Sequence, residues 1–307
     1  MLTDPKFYAK APNHKMSDHA ERFEKHISVP GNGILAVDLL ADASGLSKQQ
    51  IKSIMLKGAV WISKGKKTQR LRRAKRSLHQ SETLHLYYDQ AVLAREPVPP
   101  QLIADLGRYS IWNKPYGLLS QGSKWGDHCT VTRWAEQHLQ PQRNAFVVHR
   151  LDRAANGLII VAHEKQAAAA LSALFQSREI DKRYRIWVEG AFPATATEQQ
   201  PLRVDEALDG RSAVSYFTRL RFDAERNRSL LDVRIETGRK HQIRRHAAYL
   251  GYPVVGDRLY GQPLQQDNLQ LTAYYLSFTC PFTGETKTFN LLIDNPGPAG
   301  VVSMLED

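Results

Sequence analysis

The sequence predicts an α+β chain: a large domain built on a mixed, largely antiparallel sheet, preceded by a small α/β domain. Three observations carry this. Beyond Tyr109, strand-like runs outnumber helical ones, and the helices fall between them irregularly rather than in βαβ alternation. Upstream, two short helical patterns and a few short strands make a module of roughly sixty residues, small but feasible. Between the two lies "AVLAREPVPPQLIADLG", Pro-rich and aperiodic, with the composition of a boundary. The expected divisions are a polar arm at 1–30, a small domain at 31–90, a linker at 91–108 and the large domain at 109–307.

The arm is polar and carries His14, His19 and His26. In the small domain, "ILAVDLLADA" has helical spacing. "SKQQIKSIMLKG" repeats that spacing with Ile51, Ile54 and Met55, a cap at Ser47 and a stop at Gly58. "AVWIS" reads as a short strand, and "ETLHLYY" alternates, with Leu84 and Leu86 on one side. Between these strands runs "KGKKTQRLRRAKR", eight cations and no acid. Such a run reads either as a solvated loop or as a phosphate-binding surface whose affinity would fall steeply with salt. Its place inside an ordered-looking module favours the second reading.

In the large domain, "YSIWNKPYGLLS" is a strand that meets a turn at Lys114–Pro115. "TVTRWAEQHL" is a helix with a Thr cap. "FVVH" and "GLIIVAHE" are strands on either side of "RLDRAAN". "KQAAAALSALFQSREI" is a strong helix. "KRYRIWVEG" alternates, placing Tyr184, Ile186 and Val188 on one face. Two more strands, "SAVSYFTRLRF" and "SLLDVRIET", lead to "GRKHQIRRHAAYLG", a helix with Ile243, Ala247 and Leu250 inward. "YPVVGDRLYG" is a Gly-punctuated turn, in which Gly256, Asp257 and Gly261 are read as turn residues. "TAYYLSFTCP" and "KTFNLLI" close the domain as strands.

The charge narrows the partners. Lys and Arg number 42 against 31 Asp and Glu, a formal net charge of +11, which suits a polyanion. No apolar run reaches the ~18 residues of a membrane span, and the amino terminus lacks an apolar signal core, so no membrane partner is expected. Cys129 and Cys280 form no metal-binding spacing, and free thiols in a cytoplasmic protein are expected. His149, His241 and His246 beside Asp152 make a poor metal set. His241 and His246 are five apart, not the four that puts two ligands on one helix face, so no metal is expected.

The stretch "HRLDRAANG" sets one acid, Asp152, between Arg150 and Arg153, at a turn between two apolar runs. On its own Asp152 reads as a turn or cap residue. Its neighbours in the chain change that reading. "NKPYGLLS", "HRLDRAANGLIIVA", "KRYRIWVEG", "LDGRSAVSYF" and "ETGRKHQIRRHAAYLGYPVVGDRLYG" resemble, in this order, the segments of pseudouridine synthases of the RluA type, from about Tyr109 to Ile293. "LSKQQIKSIMLKGAVWISKGKK" and the basic segment after it resemble the small RNA-binding domain named after a ribosomal protein of the small subunit.

The resemblance implies an isomerase, without cofactor or metal, acting on a uridine flipped out of structured RNA. It implies Asp152 as nucleophile, Tyr184 beside the target base and Arg244 paired with the acid, in a bidentate geometry that Lys could not reproduce. Arg150 is expected to splay the RNA. Lys64, Lys66, Lys67, Arg70, Arg72, Arg73, Lys75 and Arg76 are expected to contact it. One departure is that Ala155-Asn156 stands where the family's loop has Thr-Ser, which implies altered loop bonding. Ribosomal RNA is the expected substrate of a monomer. Transfer RNA, and a catalytically silent RNA-binding or ribosome-assembly role, are the alternatives. A glycosidase would need a second, opposed carboxylate, and none stands out.

Overall fold

The computed structural model describes residues 21–261 and 267–292. The chain divides into two compact units, Met1–Arg95 and Glu96–Asp307. His14 and His19 of the expected arm lie outside the described residues.

In the first unit, β1 (Arg22–Ser28), α1 (Ala36–Ser44), α2 (Lys48–Leu56), β2 (Val60–Lys64), β3 (Lys67–Arg70), β4 (Glu82–Asp89) and α3 (Gln90–Leu93) follow in order. The strands form an antiparallel sheet in the order β1-β4-β2-β3. Alternation on β2 and β4 sends Val60, Ile62, Leu84 and Leu86 into one core with Leu40, Ile51 and Met55 of the helices. Burying each such large side chain contributes about 1.5–3 kcal/mol. Ser47 caps α2 reciprocally: its hydroxyl accepts from the Gln50 amide at 3.3 Å, and Gln50 Oε1 accepts from the Ser47 amide at 2.9 Å. A cap of this kind contributes about 1 kcal/mol.

Two expectations change in this unit. Residues 22–28, expected within a polar arm, are an edge strand, with Ile27 opposite Leu84 and Phe23 stacked on Tyr88 at 4.9 Å. Only Phe23 and Ile27 of that strand are half-buried, so its alternation is too sparse to read. The basic run, expected as a loop, begins as a β2–β3 hairpin with Lys64 opposite Lys67. β3 forms the other edge, where exposed cations discourage pairing with a second chain.

The second unit contains β5 (Gln101–Asp105), β6 (Tyr109–Lys114), α4 (Val131–His138), β7 (Phe146–Val147), β8 (Asn156–Ala162), α5 (Lys165–Ser177), β9 (Asp181–Glu189), β10 (Leu202–Val204), β11 (Ser215–Asp223), β12 (Arg228–Ile235), α6 (Gln242–Tyr249), β13 (Leu271–Thr279) and β14 (Thr286–Asn290). One sheet runs β10-β11-β12-β9-β13-β8-β6-β5, with β14 on β13 and β7 on β8. The expected mixed, largely antiparallel sheet is what forms: among the described residues only β13 with β8 is parallel. The expected linker at 91–108 is corrected, because Gln101–Asp105 is an edge strand paired with β6. Its short length and the prolines before it hid its pattern.

β8 is buried on both faces, which explains its unbroken apolar run. Ile159 and Val161 join one core with Tyr184, Ile186, Leu231, Val233, Ile243 and Ala247. Leu158 and Ile160 join another with Ile111, Leu171 and Leu276. Where β8 meets β13, Gly157 has φ +112, and a Cβ there would sit 2.2 Å from the Ala273 carbonyl oxygen. Glycine is therefore the residue that lets the "HRLDRAANG" loop run straight into the central strand. No helix among the described residues is long and apolar enough to cross a membrane.

Candidate active site

The loop before β8 is held from below by the segment after β6. Ser120 Oγ accepts from the Leu151 amide at 2.9 Å and donates to the Leu151 carbonyl at 2.7 Å. The Gly117 amide donates to the Arg153 carbonyl at 2.8 Å. Lys114 is fully buried, and its ammonium donates to the carbonyls of Ala155, Leu118 and Pro115 at 2.5, 2.9 and 3.1 Å. Burial pushes Lys114 down to about 7, and the charge of Asp152 opposes that shift. The departure at Ala155-Asn156 is thus accommodated: a backbone carbonyl serves the lysine, and Asn156 Oδ1 accepts from Thr272 Oγ1 at 2.9 Å.

Asp152 stands on this loop at the wall of a cavity of about 300 Å³, which Arg150, Tyr184, His241 and Arg244 also line. That volume is at the small end of ligand sites. Tyr184 reaches it from β9 and is 9% exposed. Burial raises the Tyr184 hydroxyl well above its ordinary value, and the nearby charge of Asp152 raises it further. The phenol is therefore neutral at physiological pH. Arg150 is exposed at the rim.

Arg244 reaches the same cavity from α6, but not in the expected pairing. Its Nη1 lies 3.5 Å from Asp152 Oδ2. The bidentate partner is Asp257, with Nε to Oδ2 at 2.7 Å and Nη2 to Oδ1 at 2.6 Å. Asp257 is 1% exposed, and its Oδ1 also accepts from the amides of Leu259 and Tyr260 at 2.9 and 3.1 Å. Burial works against both charges. The mutual hydrogen bonds override it, holding the Arg244 guanidinium above and the Asp257 carboxyl below their ordinary values. The turn reading of Gly256-Asp257 is thereby corrected in part. Gly256, at φ +76, does make the turn, whereas Asp257 is the anchor of Arg244.

The helix expected from Gly238 begins instead at Gln242. The buried Gln242 side chain braces the preceding turn, accepting from Thr237 Oγ1 at 2.7 Å and the Arg239 amide at 3.0 Å. His241, at the end of that turn, has left-handed backbone angles, φ 55 and ψ 28. Its Nε2 lies 3.7 Å from Asp152 Oδ1, and its Nδ1 shares a 2.9 Å hydrogen bond with the Tyr260 hydroxyl. Burial lowers the His241 pKa; the charge of Asp152 opposes this, and Arg244 and Lys240 add to it.

His149 and His246, the other two histidines weighed with Asp152, are structural. His149 Nε2 accepts from the Ile160 amide at 3.0 Å, and its ring stacks on Phe175 at 4.3 Å. Burial, helped by Lys182, pushes it down to about 3. His246 is bound by Ser215 Oγ and the Glu206 carbonyl at 2.9 and 3.0 Å.

In the first unit, the basic run separates into two sets. Arg76 pairs with buried Glu82 at 2.6 Å, Arg72 donates to the Leu56 carbonyl at 2.9 Å, and Arg70 donates to the Gly58 carbonyl while lying 4.2 Å over the Trp61 ring. Those three cations brace the fold. Lys64, Lys66, Lys67, Arg73 and Lys75 are exposed. Sequence reasoning missed Asp257, Lys114 and Ser120, and weighed His241 only as a metal ligand.

The sequence profile of a family described as RNA pseudouridylate synthase matches residues 108–249. A ribosomal large subunit pseudouridine synthase D of Xanthomonas campestris is 34% identical over 187 residues, 57% of this chain and 56% of that protein. The dual-specificity RNA pseudouridine synthase RluA of Salmonella typhimurium is 34% identical over 195 residues, 59% of this chain and 88% of that protein. The chain thus spans little more than half of the first relative and most of the second. Among solved structures, human RNA pseudouridylate synthase domain containing 1 has a TM-score of 0.53 at 20% identity, covering 66% of this chain and 87% of its own. That likeness bears on the fold.

Proposed function

The chain belongs to the RNA pseudouridylate synthase family, and from that premise we propose that it isomerises uridine in structured RNA with Asp152 as nucleophile. In the net reaction the C1′–N1 bond breaks, a C1′–C5 bond forms, C5 loses a proton and N1 gains one. No electrons are exchanged. The observation that supports this reading is the meeting of Asp152, Tyr184 and Arg244 at one small cavity, from three elements distant in sequence.

Each residue has a part that its surroundings suit. Asp152 either attacks the ribose anomeric carbon, assists elimination to a glycal-like species, or adds to the uracil ring; in the first and third the carboxylate bonds to the substrate and later leaves, and in the second it takes the C2′ proton and returns it when the C1′–C5 bond forms. Tyr184, neutral and buried on one side, offers its ring face to the extruded base. Flipping the nucleotide costs a few kcal/mol, and base–aromatic stacking returns about 1–3 kcal/mol. Arg244, clamped by Asp257, presents one remaining nitrogen to Asp152 in a fixed direction. Arg150 at the rim suits a role in separating the target nucleotide from its neighbours.

Ribosomal RNA is the proposed substrate. The exposed cations Lys64, Lys66, Lys67, Arg73 and Lys75 of the first unit suit a large, folded polyanion, and one relative is named for the large ribosomal subunit. The experiment incubates the full chain with unmodified large-subunit ribosomal RNA transcripts and, separately, unmodified transfer RNA transcripts, and maps pseudouridine in each. Pseudouridine in the ribosomal transcripts is the expected result. Modification of transfer RNA alone would overturn the substrate, and RNA binding without modification of either would favour a binding role.

A further inference from the structure

His241 sits at a strained place in the backbone. Left-handed angles are uncommon for any residue with a side chain, though Asn, Asp and His adopt them more often than the others. Such outliers persist where the surroundings over-determine them, and they cluster at functional sites. Here the surroundings are the Gln242 brace behind the turn and the Tyr260 hydroxyl at one end of the ring. The other end of the ring points at Asp152.

Tyr260 is itself fixed. Its amide donates to Asp257 Oδ1, and its ring lies 5.2 Å beneath the Arg244 guanidinium. A closed circuit results, running from Asp152 through Arg244, Asp257, Tyr260 and His241 back to Asp152. Arg244 stands by one oxygen of the nucleophile, and His241 stands by the other.

Electrostatics selects the tautomer. With Nδ1 accepting from the Tyr260 hydroxyl, Nε2 carries the proton and directs it at a carboxylate oxygen. The opposite tautomer would aim an Nε2 lone pair at Asp152, which is repulsive. The charged groups that face the ring are Asp152 and Asp257 on one sign and Arg244 and Lys240 on the other, and with burial they leave the imidazole neutral near pH 7.

We infer that His241 is a positioning residue for Asp152: Tyr260 and the charge of Asp152 together set its tautomer, and its Nε2–H holds Oδ1 while Arg244 holds Oδ2. Pinned at both oxygens, the carboxylate loses rotation about its Cβ–Cγ bond and meets the substrate in one orientation. The 3.7 Å separation closes to hydrogen-bond length when substrate fills the cavity, as catalytic contacts commonly tighten on binding. The inference rests on Asp152 being the nucleophile.

Its test uses one readout that needs no substrate. In the full chain labelled with 15N-histidine, the His241 signals, assigned with His241→Asn, report the Nε2–H tautomer. In Tyr260→Phe that preference weakens but survives, and in Asp152→Asn the His241 pKa falls further. An Nδ1–H tautomer, or a His241 pKa indifferent to Asp152→Asn, overturns the inference whether or not the enzyme turns over. The second readout is turnover on unmodified ribosomal RNA transcript. His241→Asn, which suits the backbone but is too short to reach, lowers kcat by about tenfold to a hundredfold with KM little changed. His241→Gln, which returns an N–H near the Nε2 position, recovers part of the loss. Equal losses in Asn and Gln, or a loss confined to KM, contradict it. Should His241→Asn fold poorly, Tyr260→Phe carries the same prediction with a smaller loss of kcat. Activity retained by Asp152→Asn would instead remove the nucleophile reading itself.

Discussion

Arg244 grips Asp257 with two nitrogens, at 2.7 and 2.6 Å, and turns the third toward Asp152 at 3.5 Å. The cation nearest Asp152 is thus aimed by a second, fully buried acid. Asp257→Ala would leave a buried guanidinium without its partner, and breaking a buried pair in this way costs about 3–5 kcal/mol. Urea denaturation is expected to show that loss, together with a turnover defect in whatever protein remains folded. A variant as stable and as active as the parent would contradict the assignment.

Lys114 gives a stability signature in pH. In the folded chain it releases its proton near 7, whereas an unfolded lysine holds on until about 10.4. Between these values the unfolded state binds more protons, so this group makes stability rise with pH. The contribution is absent below about 7 and complete near 10.4. Comparing urea midpoints at neutral and alkaline pH, the parent is expected to gain more than Lys114→Met. Parallel pH slopes for the two proteins would refute it.

The basic run is expected to respond in two different ways. Arg76→Ala strands the buried Glu82 carboxylate and should destabilise the first unit by about 3 kcal/mol. Lys66→Ala and Arg73→Ala, on exposed positions, should leave stability within about 0.5 kcal/mol. Each of these two should instead weaken RNA binding and reduce the slope of log affinity against log salt by about 1 if it contacts a phosphate. An unchanged slope in both would remove these residues from the RNA surface.

Gly157→Ala tests how the loop that carries Asp152 is joined to the sheet. The new Cβ would lie 2.2 Å from the Ala273 carbonyl oxygen, at a φ that L-residues avoid. β8 and β13 would have to part, at a cost of about 2 kcal/mol or more. Thermal denaturation reads this directly, and a neutral result would show that the strands can yield there.

Much of the fold was legible in the sequence, and the failures have physical causes. β9 was readable because Tyr184, Ile186 and Val188 alternate over a buried core. β1 was not, because an edge strand with one wet face needs only Phe23 and Ile27 to hold it. Asp152, a turn residue by its own loop, stood out through the family segments that accompany it along the chain. Asp257 did not, because a buried acid in a tight turn looks like any turn aspartate until its partner on α6 is seen. The structural part of Arg76 was hidden for the same reason. Its partner Glu82 lies across a turn, and composition records the charge without its neighbour.

The account turns on the carboxylate of Asp152, and the most direct measurement is single-turnover pseudouridine formation by Asp152→Asn on unmodified ribosomal RNA transcript, with RNA binding followed in parallel. The expected result is binding at the parent's strength with no detectable pseudouridine. Pseudouridine formed by Asp152→Asn at the parent's rate would contradict the account.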